Sequence, residues 1–305
     1  MSAIIIDNIS KSYEGVSAIK DIAFQVEPGE LFGLIGPDGA GKTTLFKILV
    51  TLMLPDKGSA TILGQDVVKN YRALRKRIGY MPGKFSLYPD LSIEENLQFF
   101  AAVFGTTLEK NYDLIKDIYT QIEPFKKRRA GQLSGGMKQK LALCCALIHK
   151  PDALFLDEPT TGVDAVSRKE FWEMLGSLQQ RGLTILVSTP YMDEASRCDR
   201  IALIQEGKIM GVDTPKGIAE QFPLPLFAVK SADMYQLLKD LREAPFTQSC
   251  FAFGEYLHLA STNTDLAETE IYRYLQSHNH QGVDVKPVTA GIEDSFMYLM
   301  GQNND

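Results

Sequence analysis

A short apolar run, LFGLI (31–35), stops at a glycine and is followed at once by GPDGAGKTT (36–44). No other feature constrains this chain so tightly. The run reads as a buried strand, the glycine-rich stretch as a loop, and residues 42–54 as a helix ended by PDKG (55–58). G-x-x-x-x-G-K-[ST] between a strand and a helix is the pattern of a phosphate-binding loop. Its glycines let successive backbone N–H groups converge, and the positive end of the following helix adds to their field. Gly36, Pro37, Asp38, Gly39, Ala40, Gly41, Lys42, Thr43 and Thr44 are therefore candidate contacts for a nucleoside triphosphate. Lys42 supplies a point charge to the β- and γ-phosphates, and the Thr43 hydroxyl is placed to ligate Mg²⁺.

The second half of such a site is ALFLDE (153–158). An apolar strand ending in a carboxylate sets Asp157 beside the metal, and Glu158 follows as the general base for an attacking water. Further apolar runs at 78–81 and 183–187 alternate with helical stretches, which predicts a parallel sheet with crossover helices. Residues 84–150 read as mostly helical, and Ser92 with Glu95 three residues on is a capping-box signature. The basic run KKRR (126–129) reads as a solvated loop. Prolines at 215, 223 and 225 around Gly217 mark a linker. Beyond it the order strand 226–230, helix 234–242, strands 247–253 and 256–260, helix 266–275, strand 283–288 predicts a ferredoxin-like fold, with a last helix near 294–300. The expected division is an ATPase domain over 1–223 and a small α+β domain over 224–305.

LSGGMKQ (133–139), shortly upstream of the Asp157 strand, separates this chain from other phosphate-loop proteins. With it, residues 1 to about 220 resemble the ATP-binding subunits of ABC transporters. The motifs match in order: the loop at 36–44, LSGGM at 133–137, the strand ending in Asp157 and Glu158, and TGVD at 161–164. The resemblance implies a phosphate-loop ATPase with a helical signature subdomain, using ATP and Mg²⁺. It gives Tyr13 the place of the aromatic that stacks on adenine. Ser134, Gly135 and Gly136 open a helix, offering a hydroxyl, bare N–H groups and a positive dipole end. In the family that surface faces the ATP of a second ATPase subunit in a head-to-tail dimer. The family's other partners are permease subunits, and FSLY (85–88) falls near its permease-docking groove. The C-terminal stretch with GIEDSF (291–296) resembles that of drug- and polysaccharide-type exporters, so an exporter is expected over an importer.

Two positions depart from the family pattern. IGYMP (78–82) normally continues with a glutamine that touches Mg²⁺; here Gly83 follows. STPYMDEA (188–195) resembles the switch segment, where a histidine normally meets the γ-phosphate; here Pro190 stands. In one reading the replacements are tolerated and Glu158 still drives hydrolysis. In the other, favoured because the γ-phosphate is poorly positioned, ATP binds but turns over slowly at this chain's own site, and the partner ATPase is non-identical.

The charge supports two units with different roles. Of the net −6, residues 224–305 hold five Lys+Arg against eleven Asp+Glu, leaving 27 of each in the first 223. A neutral ATPase domain with an acidic extension disfavours nucleic acid and anionic lipid, so no nucleic-acid partner is expected and attachment to the inner face of the membrane should run through a permease. The alternative, a soluble ABC ATPase acting on ribosomes or nucleic acid, fits this charge less well. No apolar run is long enough to span a bilayer, and the first residues do not read as a secretory signal. Cys144, Cys145, Cys198 and Cys250 read as free buried thiols in a reducing compartment. His278 and His280 read as solvated surface, with no protein-held metal cluster expected.

Overall fold

The computed structural model describes residues 1–302 and divides into two compact units, 1–215 and 216 onward. Within the stretch read as a linker, Pro215 opens a helix, Pro215–Glu220. Proline's fixed φ suits the first helical position, where a missing N–H costs nothing.

In the first unit, a six-stranded sheet runs in the order Lys208–Asp213, Arg200–Gln205, Leu31–Ile35, Thr184–Thr189, Ala153–Asp157, Ile78–Met81. Its inner pairings are parallel, and only the edge hairpin Arg200–Gln205 with Lys208–Asp213 is antiparallel. Leu31–Ile35, Ala153–Asp157 and Thr184–Thr189 are buried along their whole length. That is why each reads as a mostly apolar run and not as an alternation. A second, antiparallel sheet orders Val16–Val26, Ile4–Tyr13, Lys57–Ile62 and Gln65–Asp66. Its strands alternate only in part, because bulges shift the register between Ile6 and Ser12. The core between the sheets includes Phe24 stacked on Phe32 at 5.1 Å and Phe46 edge-on to Phe155 at 6.3 Å.

The phosphate-loop helix is Lys42–Leu49, shorter than the predicted 42–54. It stops because Thr51 turns left-handed at φ 66°, and the Leu52 and Met53 N–H groups fold back onto the Lys47 carbonyl. The helical subdomain comprises Ile93–Val103, Tyr112–Tyr119 and Gly135–Leu147. The capping box forms as expected: Ser92 accepts from the Glu95 N–H at 3.2 Å, and Glu95 accepts from the Ser92 N–H at 2.8 Å. Lys127 of the basic run pairs with Glu94, and Arg128 lies over the Phe125 ring. All four cysteines are free and buried.

The second unit holds an antiparallel sheet in the order Thr247–Phe253, Tyr256–Ser261, Leu226–Lys230, Asp284–Pro287. The helices Met234–Glu243 and Glu268–Ser277 complete the β-α-β-β-α-β series, and their core includes Val229, Leu237, Leu259 and Ile271. Ile292–Gln302 is the last helix. One expectation fails here. His278 is exposed, but the His280 side chain is 3% exposed, its Nε2 2.9 Å from Asp240. Folding brings Asp240 to it from a helix forty residues earlier in the chain, which the local polar sequence does not show. No helix among the described residues is long and apolar enough to cross a membrane.

Removing the Ser92 hydroxyl leaves the first turn of its helix uncapped. Ser92→Ala is expected to lower stability by about 1 kcal/mol, read as a lower denaturation midpoint with an unchanged slope.

Candidate functional site

Parallel strands release their C-terminal ends on one side of a sheet, and the candidate residues gather there. In the pairing register Ile35 lies beside Thr189 and Asp157 beside Ser188. The phosphate loop therefore leaves one strand, the two carboxylates leave another, and the Pro190 segment leaves the strand between them.

The loop's shape depends on missing side chains. A Cβ on Gly36 would stand 2.1 Å from the Ile204 carbonyl oxygen. One on Gly41 would stand 2.5 Å from the Ala18 oxygen, and Gly41 also holds φ at 100°, a region closed to most residues. No side chain caps the helix that follows, and its first turn holds no acid, so its free N–H groups form an uncapped positive end. Lys42 is 2% exposed; its Nζ donates to the Gly36 and Pro37 carbonyls at 2.8 and 2.9 Å. The same Nζ is 3.0 Å from Glu158 Oε1. Asp38, Gly39 and Thr43 are exposed, Pro37 and Thr44 are partly so, and Ala40 is buried. Tyr13, 42% exposed, brings its hydroxyl to 3.5 Å from Thr44 Oγ1.

Asp157 is 2% exposed, and burial raises its carboxyl above the ordinary range, opposed by hydrogen bonds from Ser188 and Thr43. Ser188 Oγ donates to Asp157 Oδ1 at 2.7 Å and accepts from the Glu158 N–H at 3.0 Å. One hydroxyl thus ties the Asp157 carboxylate and the Glu158 backbone to the neighbouring strand. Glu158 takes φ 51°, which turns its side chain back toward Lys42. Oxygen donors alone, a buried carboxylate and a hydroxyl from Thr43, suit a hard divalent cation such as Mg²⁺. Ser188 went unrecognised in the sequence; its only signal there is a hydroxyl ending an otherwise apolar strand.

Ser134 caps Gly135–Leu147, accepting from the Met137 N–H at 3.4 Å, and both Ser134 and Gly135 are exposed. Gly136 is buried, and a Cβ there would stand 2.6 Å from Ser167 Oγ. The start of this helix therefore lies against Ser167, in the first turn of the helix Ala165–Gln180. There Asp164 caps Ala165–Gln180 through the Val166 and Ser167 N–H groups, which hold its carboxyl below the ordinary range.

Gly83 lies beside the carboxylates: a Cβ on it would stand 2.9 Å from the Asp157 carbonyl oxygen. A larger residue fits only if backbone moves. Phe85, Ser86 and Leu87 line an apolar groove of about 440 Å³, with Phe104, Cys145 and His149 among the other walls. Tyr88 packs on Phe99 at 4.8 Å instead. Of this stretch Leu87 is buried, while Phe85 and Tyr88 are 40% and 48% exposed.

The ABC transporter family model matches residues 19–161. Nod factor export ATP-binding protein I of Burkholderia pseudomallei is 36% identical over 298 residues, covering 96% of this chain and 95% of that protein. The chain belongs to the ATP-binding proteins of ABC transporters. The "Probable multidrug ABC transporter ATP-binding protein YbhF" of Escherichia coli is 43% identical over 98% of this chain, which spans about half (52%) of that relative's length. A solved ATP-binding subunit of an ABC transporter is 28% identical with a TM-score of 0.66, over 72% of this chain and 93% of that one. CbiO1 of Clostridium perfringens, part of the ABC transporter complex cbiONQ, is 25% identical with a TM-score of 0.65, over 72% and 91%.

Gly36→Ala is expected to push the loop off the Arg200–Gln205 strand. ATP affinity should fall at least tenfold, about 1.4 kcal/mol, in a titration with a fluorescent ATP analogue.

Proposed function

We propose that this chain binds and hydrolyses ATP as the motor subunit of an ABC exporter. The observation that carries this reading is the shared end of three parallel strands, where Lys42, Asp157 and Glu158 meet the bare start of Lys42–Leu49. The N–H groups of residues 39–44 hold the phosphates, and Lys42 exchanges the Gly36 and Pro37 carbonyls for phosphate oxygens. Mg²⁺, held by Thr43 and Asp157, would neutralise charge on the β- and γ-phosphate oxygens. As Lys42 turns to phosphate, Glu158 is released to take a proton from the attacking water. Tyr13, its hydroxyl 3.5 Å from Thr44 Oγ1 and its ring exposed, would stack on adenine.

Ser134, Gly135 and Gly136 serve a second ATPase subunit in a head-to-tail dimer. The exposure of Ser134 and Gly135 supports that role. The groove bordered by Phe85 and Leu87 offers an apolar seat for a permease segment, which would bring the chain to the inner face of the membrane. The transporter and exporter parts of this reading draw on the relatives' names, multidrug and Nod factor export.

Turnover at the chain's own site is slow in this reading. Gly83 has no side chain for the metal, and Pro190 has neither an N–H nor a polar group for the γ-phosphate. A non-identical partner ATPase would then carry the faster site. Glu158→Gln should keep ATP affinity and lower turnover at this chain's own site by about 10²-fold or more, read as the slow phase of a phosphate-release assay. Pro190→His should raise turnover at this chain's own site about tenfold, the equivalent of ~1.4 kcal/mol of barrier. That substitution is the cleaner test, because Gly83→Gln must displace the Asp157 backbone.

A further inference from the structure

Within the stretch that resembles the switch segment lies a buried carboxylate that the nucleotide reading has given no role. Glu194, in the short helix Met192–Arg197, is 3% exposed. Its Oε2 accepts from the hydroxyls of Thr189 at 2.5 Å and Thr160 at 3.0 Å, and its Oε1 from Arg168 Nε at 3.1 Å. A buried carboxylate costs several kcal/mol unless its oxygens are met, and here donors from three separate elements meet both.

Each donor leads to the nucleotide site. Thr189 ends the central strand beside Pro190; its carbonyl accepts from the Gly36 N–H at 3.2 Å, and its hydroxyl accepts from the Tyr191 N–H at 3.1 Å. Thr160 follows Glu158 by two residues, in the turn closed by the Thr161 N–H to Glu158 carbonyl bond of 3.3 Å. Arg168 stands on the helix capped by Asp164, 4.3 Å over the Tyr191 ring, and also donates to Asp193 at 2.9 Å.

We propose that Glu194 is a positioning residue for ATP turnover, and this rests on the ATPase reading above. Pro190 gives its segment no anchor of its own, so the anchor lies in its neighbours. Through Thr189, Glu194 fixes the strand end that carries Ser188, the residue holding Asp157 and Glu158. Through Thr160 it fixes the turn that follows Glu158. Both carboxylates are thereby held in one geometry toward the phosphate loop, while Glu194 itself touches neither nucleotide nor metal. Misplacing a reacting group by ~1 Å can cost about 10²-fold in rate, so a loosened hub should reduce turnover and leave binding in place.

The test uses the full chain in the complex with which it purifies and compares kcat at this chain's own site, read as the slow phase of ATP hydrolysis, with ATP affinity. Glu194→Gln places an amide N–H₂ among three donors. Its kcat should fall about tenfold with ATP affinity within about twofold of the parent, a split that a binding defect would not produce. If that variant fails to fold, the pair Thr160→Val and Thr160→Ser carries the test. Valine, which keeps the shape, should lose kcat, and serine, which keeps the hydroxyl, should retain it. Unchanged kcat in both Glu194→Gln and Thr160→Val overturns the proposal, as does an equal loss for valine and serine at position 160. A parent complex without ATP turnover overturns the ATPase reading and this inference with it, before any variant is compared.

Discussion

The site depends on the parallel pairing of Leu31–Ile35, Thr184–Thr189 and Ala153–Asp157. Parallel strands point the same way, so every strand end that carries chemistry opens on one edge of the sheet. The pairing also fixes relative height, placing Asp157 level with Ser188 and Ile35 level with Thr189. Slipping one strand by a residue would turn each side chain to the opposite face and separate the Ser188 hydroxyl from the Asp157 carboxylate and the Glu158 N–H. The fully buried apolar faces of these strands are what resist such a slip. Catalytic geometry here is therefore a consequence of core packing more than of the loop residues alone.

Much of this was legible in the sequence, for reasons that can be named. Buried strands flanked by helices show as short apolar runs, so 31–35, 78–81 and 153–157 were readable. The C-terminal β-α-β-β-α-β order was readable from its period changes. The antiparallel sheet of the first unit was not, because the bulges in Ile4–Tyr13 blur its alternation. The edge hairpin Arg200–Gln205 with Lys208–Asp213 also went unread. Contacts across long stretches of sequence leave no local mark: His280 with Asp240, and Glu194 with Thr160 and Arg168, appear only after folding.

The two departures from the family pattern look different once placed in the structure. Gly83 is not simply a missing side chain, since the Asp157 backbone occupies the space where a Cβ would go. Pro190 stands between two anchored residues, Thr189 and Tyr191, with Arg168 stacked on the latter. The segment is held firmly although its central residue can form no hydrogen bond through its own N–H or side chain. The proposed slow turnover therefore does not require a disordered segment: the local framework around Pro190 is kept whether or not the γ-phosphate is met there.

The most direct measurement is a structure of the full chain with Mg²⁺ and a non-hydrolysable ATP analogue. The account predicts phosphates seated on the N–H groups of residues 39–44, Lys42 on a phosphate oxygen and no longer on Glu158, and Thr43 and Asp157 turned to the metal. Nucleotide bound elsewhere, or phosphates in the loop with Lys42 still paired to Glu158, would contradict it.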